Sequence, residues 1–298
     1  MDIMIYKKKS PALFFLFPAF FFLGVFLYYP FVLNIINSFQ EITSMGSAPE
    51  GNIGITNYVN LLRDPNIAIS LKNTVIMIFA SVVFQVGFAL VLALMVDNIT
   101  KFAQFYRTVF FFPIVISGTA LGMLFNLLYV YHPSDKAYNG VFNQIIMSLG
   151  GNPVNWFSPK TCVYYLLIPI VWQYVGFYFV ILLTGLNNIS TDVYESASID
   201  GATGLKKIWY ISLPLIQSVW TTCVTLAITG ALKVFDLPWI ILPKGMPNGK
   251  SFFTGTYMYY MTFEIKNYDY GATIAILIVV LGVLISSITN MIIKPKEY

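Results

Sequence analysis

The sequence predicts an all-α integral membrane protein with six transmembrane helices, and three observations carry that prediction. Hydrophobic residues make up 57% of the 298 and charged residues only 10%, against about 25% charged in a soluble domain. The apolar residues gather into long runs of roughly 20 or more, the length a helix needs to cross about 30 Å of hydrocarbon. Tyr (20) and Phe (26) are abundant, as aromatic side chains are where a membrane meets water. The net charge of +4 is scattered, so the lysines read as topology determinants and headgroup contacts, not as a nucleic-acid surface.

Span 1 is the run 11–39, behind Lys7-Lys8-Lys9 and interrupted by Pro18 and Pro30. It is too long for the apolar region of a signal peptide, and no small-x-small cleavage site follows it. Residues 40–70 are polar and glycine-rich, an outside loop. Span 2 is 71–96, and 97–107 a short inside loop. Span 3 is 108–130; its Gly118 and Gly122 form a GxxxG pair, either a close helix contact or a chance spacing. The outside loop 131–160 holds an amphipathic helix (Val141, Phe142, Ile145, Ile146, Leu149) that ends at Gly150-Gly151. Span 4 is 161–186, span 5 is 213–237 and span 6 is 271–293, with a third outside loop over 236–270. Lysine and arginine are denser on the short inside segments, which puts both chain ends in the cytoplasm. No soluble domain with its own core is expected outside the spans. Cys162 and Cys223 each sit in or beside an apolar run, where cysteine serves as a small buried hydrophobe. His132 stands alone in a loop and makes no metal site.

The most polar and most punctuated stretch is 195–214, between spans 4 and 5, with a helix start leading into it from 191. Thr191 or Asp192 is placed to cap a helix with Glu195 in its first turn. Gly201 interrupts the pattern and predicts a bend. A second short helix with Ile208 and Trp209 follows, and Pro214 suits the entry to span 5. Such a helix–bend–helix is either a docking knob or an amphipathic loop lying on the membrane. Gly201-Ala-Thr-Gly-Leu-Lys206 has the outline of a phosphate loop but lacks the GK[ST] ending and a preceding strand. No HExxH or GxSxG is present, and no nucleophile has a histidine partner. Asn98-Ile-Thr100 and Asn188-Ile-Ser190 match a glycosylation pattern but fall on inside segments, where it carries no meaning.

At 195–214 the chain resembles the permease subunits of binding-protein-dependent ABC importers. Their signature, Glu-Ala-Ala, a Gly four residues on, then Ile-x-Leu-Pro, is met by Glu195, Ser196, Ala197, Gly201, Ile211, Leu213 and Pro214, with Ser196 in place of Ala. Asp200-Gly201-Ala202 is similar to the form in carbohydrate importers. Pro30 in span 1, Asn73-Thr74, Arg107-Thr-x-Phe-Phe-Phe-Pro113, Phe235-Asp236 and Tyr268-Asp-Tyr-Gly-Ala272 also resemble the permease family. Leu242-Pro-Lys-Gly-Met-Pro247 departs from the family's usual Thr-x-Gly-Gly-Pro. The chain most resembles the maltose and glycerol-phosphate permease subunits.

The resemblance implies one importer transmembrane domain over 1–298, in a bacterial cytoplasmic membrane, for a sugar and more narrowly an oligosaccharide. It implies as partners a second permease subunit, two cytoplasmic ATPase subunits and an extracellular or periplasmic solute-binding protein. ATP and Mg would belong to the ATPase subunits; this chain would bind no cofactor and catalyse nothing alone. Segment 191–214 would be the coupling helix. The substrate path, lined by spans 4 and 5, would include Gln173, Tyr174 and Phe177, with Ala227, Gly230, Ala231 and Asp236, each set at helical spacing. Aromatic rings and an amide suit a sugar, although aromatics on a membrane helix also serve simply as packing. Lys233 and Asp236 are ionisable groups in a span, functional by default, or a pair at i and i+3. The alternatives are an importer permease for a non-sugar solute, or a self-contained secondary transporter or membrane enzyme; the lack of inverted repeats and catalytic motifs opposes the last two.

Overall fold

A computed structural model describes residues 10–41, 54–97, 102–134 and 136–292. The N-terminal lysines, Asn98-Ile-Thr100, Lys101 and the C-terminal lysines lie outside the described residues. Among the described residues, five helices are long and apolar enough to cross a membrane, or six if a bent pair is one span. The chain divides into two compact units, Met1–Arg63 with Met261–Leu277, and Asp64–Tyr260 with Ile278–Tyr298.

In the first unit, span 1 runs without a break from Ser10–Leu23 through a π-turn at Gly24–Tyr28 into Tyr29–Ser38. Pro30 has no N–H and its ring crowds the carbonyl one turn back; the π-turn lies directly before it and relieves that crowding. Asn57, on the helix Thr56–Arg63, ties the unit together. Its Nδ2 donates to Ser38 O (3.3 Å), Gln40 O (3.1 Å) and Asp269 Oδ2 (3.1 Å). Thr273 Oγ1 donates to the same Ser38 carbonyl at 3.2 Å. The Tyr268–Ala272 motif therefore has a structural use: Asp269 is buried against Asn57, and Gly271 leaves room for the Thr262 hydroxyl.

In the second unit, span 2 is longer than the sequence suggested, Pro65–Asp97. Asp64 accepts from Asn66 N at 2.8 Å and Pro65 supplies the first turn, so the helix starts six residues before the predicted 71. A π-turn at Ser81–Val86 interrupts it midway. Span 4 is Cys162–Asn187 and spans the whole unit despite Pro169. Proline at 169 leaves the Tyr165 carbonyl without its helical donor, and Tyr129 Oη donates to it at 3.1 Å.

Span 3 is not the straight helix predicted over 108–130. It breaks into Ala103–Val115 and Gly118–Leu128, bent by 90°. Ser117 caps the second piece by accepting from Ala120 N at 3.2 Å. The bend is held from a distance: Gly118 lies against Asp236, and a methyl group on Gly122 would come 2.6 Å from Ile240 Cγ2. The GxxxG pair thus does bring a helix close, Asp236–Ile241 of the same chain.

Span 5 begins at Gln217, three residues after Pro214, and consists of Gln217–Leu232 and Asp236–Ile241. The helix stops between Lys233 and Asp236, so these two do not share a helical face at i and i+3. Cys162 and Cys223 are free and buried in the two apolar clusters that join spans 2, 4 and 5. The loop helix Val141–Ser148 ends at Gly150, whose φ of +86° suits glycine, with Gly151 N bonded to Ile146 O at 2.9 Å. Residue 143 adds what the amphipathic pattern did not show: the buried Asn143 donates to the carbonyls of Val130 and Val154 and accepts from Val154 N.

The loop after span 5 is pinned to span 2. Asn73 Nδ2 donates to the carbonyls of Lys250 and Phe252, both at 2.8 Å, and Tyr257 Oη donates to Asp64 Oδ2 at 2.5 Å. Burial and the Asp64 carboxylate push the Tyr257 phenol above its ordinary pKa, which keeps it a donor. Asn73→Ala strands two carbonyls for a cost of about 1–3 kcal/mol. We expect it to lower Tm by about 4–8 °C in a thermal melt of the purified protein, while Asn73→Asp, which keeps the shape and loses the donors, lowers it at least as much.

Candidate functional site: a mid-span cavity and an exposed polar segment

Two features stand apart from the packed helices. The first is a cavity of about 420 Å³ in the second unit. Gln173, Tyr174 and Phe177 of span 4 line it, as do Ala227, Gly230, Ala231 and Asp236 of span 5. The helix break at 233–235 adds Lys233, Val234 and Phe235 to the wall. Thr229, twelve residues into the 25 of Gln217–Ile241, places the cavity near the middle of span 5.

Span 2 supplies the third wall, which reading from spans 4 and 5 missed. Met77, Ser81 and Gln85 reach the cavity at the π-turn. Gln85 Nε2 donates to Ile170 O at 3.2 Å, holding span 2 to span 4. Ser81 is 1% exposed, and its hydroxyl has no protein partner. A signal for this wall was present: Ser81 and Gln85 are polar residues four apart in an otherwise apolar run. The lining pairs rings (Tyr174, Phe177, Phe235) with amides and a carboxylate, so it can stack on a flat apolar face and hydrogen-bond a polar rim. Above Phe235 the rings of Trp239 and Tyr259 continue the aromatic surface, 5.8 and 4.7 Å away between centroids.

The second feature is segment 191–214. Its helix is Thr191–Ile199, with Ser190 in the cap position, one residue before Thr191. Asp192 lies in the first turn and Glu195 in the second, so the predicted cap and first-turn roles shift by one residue and one turn. Glu195 and Ser196 are exposed, and Ser196 Oγ donates back to Asp192 O at 2.8 Å. Ala197 is the buried anchor. Asp200 caps the C-terminus, Gly201 follows at φ +76°, and Ala202 N donates to Ala197 O at 2.8 Å. This is the six-to-one closure that a left-handed residue permits. The chain then turns through Gly204 into Leu205–Lys207 and a π-turn at Ile208–Ser212, with Ile211, Leu213 and Pro214 half-buried as it joins span 5.

Packing ties this segment down from one side. Lys207 Nζ sits 3.9 Å from the centre of the Tyr194 ring, a cation–π contact. Tyr194 Oη and Ser212 Oγ are 3.4 Å apart. Burial raises the Tyr194 phenol above its usual pKa, with the Ser212 contact opposing. The other side is open and apolar, which the sequence pattern did not reveal: Ile199 is 87% exposed and Leu205 74%, beside exposed Trp209 and Tyr210. Large apolar side chains held clear of any fold on a polar segment mark an interaction surface.

The family described as binding-protein-dependent transport system inner membrane component matches residues 101–297. A probable ABC transporter permease protein of Pyrococcus horikoshii is 30% identical over 284 residues, covering 93% of this chain and 95% of that protein. The arabinooligosaccharides transport system permease protein AraP of Bacillus subtilis is 27% identical, covering 97% of this chain and 90% of its own. The fold is also similar to a chain of a bacterial alginate ABC transporter, solved in complex with an alginate pentasaccharide-bound periplasmic protein. The TM-score is 0.83 and the identity 22%, over 97% of this chain and 95% of that one.

Proposed function

We infer the function from the premise that this chain belongs to the family of binding-protein-dependent transport system inner membrane components. It is a transport subunit of a membrane, with several membrane-spanning helices. The reading is that it forms half of the pathway of an ATP-driven importer for a sugar, and specifically an oligosaccharide. The observation that carries it is the cavity: four rings, two amides, a carboxylate and an ammonium gathered near mid-span by spans 2, 4 and 5. Sugar rings present an apolar face that stacks on aromatics and an edge of hydroxyls that needs hydrogen bonds. The arabinooligosaccharide cargo named for AraP supports the same class of solute.

In this reading Gln173, Tyr174, Phe177, Ala227, Gly230, Ala231 and Asp236 contact or shape the sugar, and a second permease closes the cavity from the other side. Segment 191–214 is the coupling element. Glu195 makes polar contact with a cytoplasmic ATPase subunit, Gly201 sets the bend, and Ile199 and Leu205 seat in an apolar cleft there. Two such subunits hold ATP and Mg; this chain holds neither. Nucleotide binding closes the ATPase pair, and the docked helices swing the spans from an inward-facing to an outward-facing arrangement. An extracellular or periplasmic binding protein then delivers the next sugar. Both chain ends lie in the cytoplasm of a bacterial cell.

The test is purification from the native membrane in gentle detergent, then uptake in vesicles. Recovery with a second permease and an ATPase, and ATP-dependent uptake of an oligosaccharide, is the expected result. Recovery of the chain alone, moving solute without ATP, defeats the reading in favour of a secondary transporter; ATP-driven uptake of a non-sugar solute defeats only the sugar assignment. Gln173→Ala and Tyr174→Ala should each shift the preference among oligosaccharides by about tenfold, the scale of one lost hydrogen bond or ring contact. Wild-type rates for every sugar in both variants would remove these residues from the path.

A further inference from the structure

We propose that Thr254, in the loop after span 5, is a positioning residue for the cargo site: its hydroxyl holds span 5 broken at 233–235, and the break puts Phe235 in the cavity. The proposal deepens the reading of the cavity as the cargo site and rests on it.

Span 5 stops at Leu232 and starts again at Asp236. In a continuous helix residue 235 shares a face with 228, 231 and 232, which lie one or two turns before it. Ile228, Ala231 and Leu232 are all buried, so an unbroken span would point Phe235 into the core. The chain instead leaves the helix, with φ −111° and ψ 17° at Lys233 and φ −141° and ψ −57° at Phe235. Phe235 is then half-buried, lines the cavity and packs on Trp239 and Tyr259. Pro238 denies the Val234 carbonyl its helical donor and so favours a break. It offers nothing to the other carbonyls that the break exposes.

A helix that stops inside a span strands its last carbonyls, and hydrocarbon supplies no water to satisfy them. In a continuous helix Leu232 O would accept from the N–H of residue 236. Thr254 Oγ1 takes that place and donates to Leu232 O at 2.7 Å. Its one proton is spent there, so in the 3.2 Å contact between Thr254 Oγ1 and Thr74 Oγ1 the donor is Thr74. Thr254 N donates in turn to Thr74 Oγ1 at 3.1 Å. Both threonines are buried, Thr254 at 0% and Thr74 at 1% exposure. Span 2 therefore holds the hydroxyl where the break in span 5 needs it. The next residue completes the fit: a methyl group on Gly255 would come 2.7 Å from Val234 O and 3.3 Å from Lys233 O. The loop backbone is seated directly against the unwound turn, and a side chain at 255 would push it off.

The test uses the whole transporter in nanodiscs, both faces open, with Cys162→Ala and Cys223→Ala as background. Phe235→Cys reports on the break, Ile228→Cys is the buried control, and the probe is a charged, membrane-impermeant maleimide. With Thr254 in place, Phe235→Cys should react roughly tenfold faster than Ile228→Cys, since exposure governs thiol reactivity. Thr254→Val keeps the shape and loses the hydroxyl; it should slow Phe235→Cys roughly fivefold, and Thr254→Ser should restore the rate. Thr254→Ala answers the same question if the valine variant does not fold. Asn73→Ala loosens the same loop without touching Leu232 O and should leave the rate within about twofold. Loss of the hydroxyl without slowing, equal slowing in Asn73→Ala, or no rescue by Thr254→Ser overturns the proposal. Uptake in vesicles supplies the second arm, with a mixture of neutral di- to pentasaccharides read by mass spectrometry. Thr254→Val and Phe235→Ala should each cut ATP-driven uptake about tenfold, and the double variant no further, because one residue acts through the other. Losses that multiply overturn the positioning role. If the parent takes up none of the sugars, the sugar reading fails, while the maleimide rates still decide what holds the break.

Discussion

Gly176→Ala should leave almost no folded protein. Gly176 lies where span 4 crosses Ala103–Val115, and a methyl group there falls on the carbonyl of Phe110, with Phe111 Cα at 3.0 Å. The atoms it meets are backbone, so no rotamer change relieves the overlap and the two helices must part. Phe110 packs on the fully buried Phe179 one turn further along, at 5.3 Å between ring centres, and that contact opens with them. Overpacking a core costs typically 1–3 kcal/mol, and more here because backbone must move; each ~3 kcal/mol lowers the folded-to-unfolded ratio by roughly a hundredfold, and a total cost above about 5 kcal/mol removes the whole margin of a marginal protein. The measurement is the amount of monodisperse protein extracted from membranes. Gly230→Ala is the control: it is also a helical glycine, but a methyl group there meets nothing within 4 Å. It should fold as well as the parent, and any change it makes should appear in uptake, since Gly230 is cavity wall. Equal yields of the two variants would mean that the span crossing is looser than the structure has it.

Gly201→Asp should leave the protein in the membrane and abolish coupled uptake. Open space surrounds Gly201, so the effect is one of backbone and charge. At φ +76° an L-residue is strained by about 1–2 kcal/mol. A carboxylate there adds to Asp200 at the C-terminal, negative end of Thr191–Ile199, where the helix dipole repels it. A nine-residue helix is marginal alone, so the closure of Ala202 N on Ala197 O is a large share of what keeps it whole. Gly201→Asn separates the causes, because asparagine tolerates the left-handed region and carries no charge. We expect Asn to retain most uptake and Asp to lose at least tenfold, with the ATPase released more readily during purification. Normal uptake by Gly201→Asp would remove the coupling role from this segment.

Several elements were legible because their signals are local. Span 4, read as 161–186, is Cys162–Asn187, and span 6, read as 271–293, is Tyr268–Ile292. Their edges are where an uncharged run meets polar residues, and lipid enforces that boundary residue by residue. The Gly150-Gly151 helix stop and the Gly201 bend were legible because only glycine takes a positive φ at little cost. Span 3 was misread because its local signals, Pro113 and the Ser117 cap, mark a helix boundary without marking a bend of 90°. The reason for it lies 118 residues away, where Asp236–Ile241 packs on Gly118 and Gly122. The start of span 2 was misread because a mixed stretch, Asn66 to Asn73, with Ser70 and Lys72 among apolar residues, belongs to a helix that the Asp64 cap and the loop 242–257 hold in place.

By itself, then, the sequence determined the class of protein, the number of spans and the family's signature segment. The first two follow from composition and run length and the third from its resemblance to the family's motif, and none needs knowledge of what touches what. The tertiary structure decided three things that depend on distant residues meeting. It brought Ser81 and Gln85 of span 2 to the cavity already outlined by spans 4 and 5, through a π-turn that no propensity announces. It left Ile199 and Leu205 bare on the polar segment. It also turned Ser218, Thr222 and Leu226 of span 5 outward while span 2 turned out valine and phenylalanine. Periodicity shows that a helix has two faces; only packing shows which of them is covered.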